Sequence, residues 1–228
     1  GPVYWIRNII WNVNHGRMAM KTHGAAQVYL WLHNTSSAHL TMPIHPGYGP
    51  GISTWVVQNN LHVGPGQGNK LALTQVCAGE AGPNHVIDHN AYNAAAAGLP
   101  CKVGKETFPS FDAFREATGY GENSILVDGY SVFRDAPEPA HARRDSPLLN
   151  SAAVDVSLQQ DSAPVDAGAR LPGINDGFEG EGPDIGALEL GRDGPVYGPR
   201  SGPYLDRLRE LRENGQIAEP ATDKEEDA

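Results

Sequence analysis

An all-β solenoid of stacked parallel strands is the fold this sequence predicts, and three observations predict it. The stretch VYWIRNIIWN from Val3 returns as VYLWLHNTSS from Val28, TWVVQNNLHV from Thr54 and HVIDHNAYNA from His85. Aligned on Asn8, Asn34, Asn59 and Asn90, the copies stand 26, 25 and 31 residues apart. At that period one turn of chain cannot bury its apolar face alone and stacks on the next. The 228 residues also hold 27 Gly and 18 Pro, more punctuation than a helical protein tolerates.

Within each copy, alternation marks a strand with two faces. The columns Tyr4, Leu30, Trp55, Val86 and Ile6, Leu32, Val57, Asp88 are assigned to the core. Trp5, Trp31, Val56, Ile87 and then Arg7, His33, Gln58, His89 are assigned to the outer face. The opposite phase, with the tryptophans inward, stays open because few turns define it. The asparagine column reads as a ladder in which each amide satisfies its own turn and bonds to its counterpart, with a ligand role as the alternative. A second short strand follows at Ile9 to Asn12 and Asn60 to Val63, and a third at Arg17 to Thr22, His39 to Met42 and Asn69 to Thr74. Two or three short parallel strands per turn make a parallel β-helix.

The period is lost between Pro100 and Asp145. Ser110 suits an N-cap and Gly119 a C′ position, which predicts a peripheral helix over Phe111 to Thr118 inside an insertion of about 108–120. Ser124 to Val127 reads as a returning strand, and Pro137 to Ser146 as a surface loop. The β-helix portion runs over 1–200. Residues 201–215, with Tyr204, Leu205, Leu208 and Leu211 at helical spacing, predict an amphipathic helix that docks on the body or on a partner. Residues 216–228 form an acidic, disordered tail.

The segments VYWIRNIIWN, WLHNT, VVQNNLHVG and DHNAYNA, with FDAFREATGYGENSILVD and the closing DSAPVDAGARLPGINDGFEGEGPDIGALELG, resemble right-handed parallel β-helix repeat proteins of the bacterial pectate-lyase-like superfamily. The closing pair is the most distinctive. Pro164 to Gly168 and Asp184 to Glu189 stand where that family has a segment of the type SPAIDAG and then DLGAYE, with Leu188 in place of a common aromatic. The resemblance covers about residues 1–200 and implies a C-terminal portion of such a domain. It implies fold more than activity, because the superfamily holds lyases, hydrolases and proteins of other roles. Gly1 opens directly into a repeat, so the natural protein is expected to continue upstream, where a signal peptide would lie.

Charge narrows the function. Residues 1–79 contain no Asp or Glu, against Arg7, Arg17, Lys21, Lys70 and six of the nine His. The rest carries 13 basic and all 27 acidic residues, a net of −14. A positive, His-rich front suits an anionic ligand, and the acidic remainder argues against a nucleic-acid partner. The alternative is that these residues are only the polar faces of strands. No apolar run is long enough for a membrane span.

On the outer face, Trp5 and Trp31 stand one turn apart beside Arg7 and His33. Aromatic surfaces stack on sugar rings, and cations bind uronate carboxylates. Glycoside hydrolysis needs two carboxyl groups, which the front half lacks. Elimination needs a cation at the carboxylate and a base for the ring proton. The expected function is therefore a secreted or periplasmic polysaccharide-lyase-like enzyme acting on an acidic glycan, as a monomer. Arg7 is the neutralising cation, His33 or His89 the proton-transfer group and Lys21 a second cation, with Trp5, Trp31 and Gln58 binding substrate. The alternatives are a non-catalytic glycan-binding or adhesion module, and a glycoside hydrolase whose site lies in upstream turns. No cofactor motif is present. The oxygen-rich loop from Pro172 to Pro183 reads as an ordered turn or a Ca²⁺ loop. Cys77 and Cys101, about one repeat apart, read as a disulfide or as two buried thiols.

Overall fold

The computed structural model describes residues 1–13, 18–22, 28–38, 42–46, 54–64, 73–74, 84–96, 100–103, 106–136, 155–194 and 210. The chain divides into two units, Gly1–Asp193 and Gly194–Ala228, and nearly all described residues belong to the first. The fold is all-β with parallel sheets and little helix. Strands β1 (Val3–Ile6), β4 (Val28–Leu32), β7 (Thr54–Gln58) and β10 (Val86–Asp88) pair in that order as one parallel sheet. Strands β2 (Ile9–Val13), β5 (Thr35–Ala38), β8 (Leu61–His62), β11 (Ala91–Asn93) and β14 (Ile125–Val127) make a second. A third strand follows in each repeat: β3 (Met18–Thr22) pairs with β6 (Met42–Pro46), which begins where the expected strand of His39 to Met42 ends, and β9 (Leu73–Thr74) pairs with β12 (Cys101–Val103). Two antiparallel additions complete the set, β13 (Glu106–Phe108) on β12 and β15 (Phe133–Asp135) on β16 (Asp155–Leu158).

First-sheet and second-sheet strands are joined by only two residues in each of the four repeats. The first of the two is always left-handed: Arg7 at φ 56°, His33 at 53°, Asn59 at 59° and His89 at 50°. A side chain other than glycine is strained there, and the second residue supplies the compensation. Asn8 Nδ2 donates to Asn34 Oδ1 at 2.8 Å, Asn34 to Asn60 at 2.8 Å and Asn60 to Asn90 at 2.9 Å. Each Oδ1 also accepts the backbone N–H of the preceding asparagine, at 3.0, 2.9 and 3.0 Å. The second Nδ2 hydrogen goes to a backbone carbonyl one repeat back: Asn34 to Trp5, Asn60 to Trp31 and Asn90 to Val57. Ser124 ends the ladder, its hydroxyl accepting Asn90 N–H at 3.1 Å.

This ladder corrects the repeat alignment. Asn60 stands in the asparagine column, and Asn59 belongs with Arg7, His33 and His89, where Gln58 was expected. The doubled asparagine offered two equivalent registers, and the first was one residue short. A one-residue slip in a strand turns each side chain to the other face. The true columns are Tyr4–Leu30–Val56–Val86, Trp5–Trp31–Val57–Ile87 and Ile6–Leu32–Gln58–Asp88.

The assignment of faces is corrected with it. Trp31 is 1% exposed and lies in an apolar cluster with Tyr29, Trp55, Val57 and Ile87, against which Trp5 packs half-buried. Tyr4 is 60% and Val86 43% exposed, so the column expected inside faces out. Trp55 and Val57 are buried as expected, because in that repeat the slip and the inverted phase cancel. Leu32, next to the corner, is also buried. Trp31 and Trp55 rings lie 5.2 Å apart, with Tyr29 edge-on to Trp55 at 6.3 Å.

The insertion folds as its caps dictate. Ser110 Oγ accepts Ala113 N–H at 3.2 Å, and α1 (Phe111–Thr118) ends on Gly119 at φ 71°. Its buried Phe111 and Phe114 pack with Tyr92 and Cys101. The described residues leave out Cys77, the segment 137–154 and, apart from Glu210, the expected helix of 201–215 and the tail of 216–228.

Removing an interior amide of the ladder should cost more than removing the first. Asn60→Ala orphans Asn34 N–H and the Trp31 carbonyl together, whereas Asn8 is partly exposed to water. At about 1–3 kcal/mol per buried orphan, the expected losses in a urea titration are roughly 2–4 kcal/mol for Asn60→Ala and about 1 kcal/mol for Asn8→Ala.

Candidate functional site

The left-handed corners are closed to solvent at His33 and Asn59, and Arg7 is half-buried. The closing segment, residues 164–190, lies over them. Gly186 N–H donates to the Asn59 carbonyl at 2.8 Å and Ala187 N–H to Thr35 Oγ1 at 2.8 Å. The two motif halves hold each other, with Gly168 N–H on the Pro183 carbonyl at 2.7 Å and Ile185 N–H on that of Pro164 at 2.9 Å. Gly168 is required, because a Cβ there would lie 2.7 Å from the Pro183 oxygen and 3.2 Å from Asn59 Cγ. Ile185 and half-buried Val165, Ala167 and Leu188 pack against Leu61, Val63 and Val127 of the second sheet.

Three carboxylates, exposed Asp166 and buried Asp184 and Glu189, organise this segment by accepting backbone N–H groups in charge-assisted bonds. Asp166 Oδ1 accepts from Glu181 and Gly182, Asp184 from Asp166 and Leu190, and Glu189 from Glu179 and Asp184. Burial raises the Asp184 and Glu189 carboxyls, while the N–H donors and the Arg7 charge pull them back. The 172–183 loop is ordered in the same way: Gly173 N–H donates to Asp176 Oδ2 and Leu171 N–H to Asn175 Oδ1, both at 2.7 Å.

Arg7 and His33, chosen as cation and proton-transfer group, are thus placed against the closing segment. Arg7 Nη1 donates to the Ala187 carbonyl at 3.0 Å. His33 is 0% exposed, with Nδ1 3.2 Å from the Gly186 carbonyl and Nε2 facing the amides of Asn59 and Asn175. Burial first, and then the Arg7 charge, hold its pKa down to about 4. This corrects the expected outer position of His33, since no substrate reaches a ring enclosed on both nitrogens. His89 is separate, at the fourth corner, with Nδ1 3.3 Å from Asp88 Oδ2 and both side chains partly exposed. Asp88 also accepts two 2.7 Å bonds from Asn123, one backbone and one side-chain. Lys21 lies in β3, whose side chains fall outside the described residues. Gln58 is half-buried beside Asp88, on the outward side of the first sheet.

Trp5 and Trp31 share a column, as expected, but it faces the apolar cluster, and Trp31 offers no surface to a sugar. The exposed face instead carries Tyr4, Leu30, Val56 and Val86. Sequence reasoning missed Asn59, Asn175, Asp184 and Glu189 as the partners of the corner residues. The closing motif was the available signal. A second enclosed pair lies on the second sheet, where the Ser36 hydroxyl and His62 Nδ1 are 2.6 Å apart and the ring stacks on Tyr92. Burial holds His62 down to about 3, a neutral imidazole in the core.

Comparison with protein-family models, with curated proteins and with solved structures gives no match to this chain. No group of three or more potential metal ligands stands together among the described residues, and no helix among them is long and apolar enough to cross a membrane.

The burial difference between the two tyrosine- and tryptophan-bearing columns is testable by truncation. Trp31→Ala should lower stability by about 3–5 kcal/mol, whereas Tyr4→Ala should stay within about 0.5 kcal/mol of the parent, both read from chemical denaturation.

Proposed function

We propose that the parallel sheets are sides of a right-handed parallel β-helix of the pectate-lyase-like kind, and that the protein is a secreted or periplasmic, carbohydrate-active member of that class. On this reading it binds an extended glycan along the outward face of the first sheet. The supporting observation is the regular column Tyr4, Leu30, Val56, Val86, with an aromatic ring exposed at one end and Gln58 and Asp88 in the next column. Parallel strands repeat every 4.8 Å or so, which offers a polymer a periodic set of contacts. Binding is favoured over cleavage because Arg7 and His33 are engaged in holding the closing segment. A monomer suffices for this role.

A second reading, polysaccharide-lyase-like cleavage of an acidic glycan, is supported by the His89–Asp88 pair. There a partly exposed imidazole and a carboxylate stand side by side on the outward edge of the fourth corner, the pair of residue types that proton abstraction uses.

Both readings are tested by incubating the protein with uronate polymers and with neutral glycans. Retention on a glycan that weakens about fivefold or more in Tyr4→Ala, without an unsaturated product absorbing in the ultraviolet, is the expected outcome. Formation of that product, abolished in His89→Ala, would instead support the lyase. Neither retention nor product on any glycan would sink both.

A further inference from the structure

The surroundings of His33 accept only a neutral imidazole. Nδ1 faces the Gly186 carbonyl and therefore carries the hydrogen. Nε2 is met by Asn59 Nδ2 at 3.0 Å and Asn175 Nδ2 at 2.8 Å. Neither amide is able to turn its oxygen toward the ring. Asn59 Oδ1 accepts Ala169 N–H at 2.8 Å and Asn175 Oδ1 accepts Leu171 N–H, while both Nδ2 groups also donate to the Ala169 carbonyl. A proton on Nε2 would confront two amide donors in a site closed to water, and the Gly186 and Asp184 carbonyls beside the ring, which favour its charged form, do not outweigh burial.

The charged groups around this ring do not rescue the proton. Arg7, from the preceding corner, repels it. Asp184 and Glu189, from the closing segment, have their oxygens on backbone N–H groups and feel the Arg7 charge, with Asp166 acting on Asp184. On the Nε2 side, among the described residues, stand the uncharged amides of Asn59 and Asn175.

We propose that His33 is a pH-sensitive latch: its protonation releases the closing segment, residues 164–190, from the second and third corners and uncovers Thr35, Asn59 and the second-sheet face at Leu61. The segment is held there by Gly186 and Ala187, next to the ring, so a ring forced to move takes those bonds with it. An imidazole released into water takes its proton near 6.5, whereas the enclosed ring resists down to about 4. The latch contribution is therefore complete above about pH 6.5 and is lost as pH falls toward 4. Asp184 and Glu189 act in the opposite sense. Their raised carboxyls make the closed form the better proton acceptor, so their unfavourable term is relieved as pH falls. Without His33, acidification should leave the closure unchanged or tighten it.

The test is hydrogen exchange of the full chain between about pH 7 and about pH 4.5, corrected for intrinsic rates, reading the amides of Ile185, Gly186 and Ala187 against Phe114 of α1. The reference amide is needed because the depressed His62 and His85 also destabilise the whole unit in acid. Protection of residues 185–187 relative to Phe114 should fall by more than about tenfold in the parent chain. It should not fall in His33→Asn, where asparagine suits the left-handed backbone. Should that variant fail to fold, imidazole ¹⁵N shifts of the parent protein decide: His33 should stay in the neutral, Nδ1-protonated form until the segment amides lose protection, both at the same pH. Unchanged relative protection in the parent, an equal fall in His33→Asn, or an imidazolium formed with the segment still closed would overturn the latch.

Discussion

The bond on which this structure depends is the side-chain amide bond between asparagines of successive repeats. Each corner places a residue other than glycine in the left-handed region, at a cost of roughly 1–2 kcal/mol. Four such corners in a row persist because every interior amide is engaged at both ends, by its neighbour's backbone N–H, its neighbour's Nδ2 and a carbonyl one repeat back. The corner in turn fixes the phase of the strand before it and of the strand after it. Trp31, Val57 and Ile87 face the apolar cluster because the ladder holds the chain at Asn34, Asn60 and Asn90.

The same corner decides what becomes of charge. The first 79 residues lack acids and the remainder carries them all, which as a sequence suggests an anionic partner. In the folded chain part of that asymmetry is satisfied internally, since Arg7 from the first repeat stands in the field of Asp184 and Glu189 from the closing segment. A cation bonded to the Ala187 carbonyl and within the field of two carboxylates of its own chain is a poor candidate for a second, exchangeable anion.

The repeats, the ladder, the capped helix and the closing motif were legible because each has a local signature: a period, an amide after an apolar run, Ser110 with Gly119, and paired glycines with aspartates. The inside-outside phase was not. A short strand that is apolar on both faces, such as Val3–Ile6 or Val28–Leu32, has no alternation to reveal which side is buried. The answer lay in the corner, where a left-handed residue ahead of the asparagine rotates the chain, and positive φ at Arg7 or His33 leaves no mark in composition. Ser124 reads in the sequence as the start of a strand and not as the end of the ladder, because a hydroxyl replaces the amide as final acceptor. The surroundings of Arg7 and His33 were hidden for a related reason. Arg7 and His33 have the chemistry of catalysts, but the groups that act on them or feel their charge, Asn175, Asp184 and Glu189, lie between 142 and 182 residues away in sequence, and only the fold brings them together.

The spacing of the ladder itself says how such a chain is able to change. Successive ladder positions are separated by 26, 26, 30 and 34 residues, yet the corner between the two sheets remains two residues long in each of the four repeats. The described part of the added length is α1, which follows β12 and β13 and leaves the corner untouched, and lengthening a loop costs only about 0.6 kcal/mol per doubling. The bonded corner is a spine that keeps one length through four repeats, so new surface should be acquired in the stretch between one corner and the next while the bound edge stays as it is.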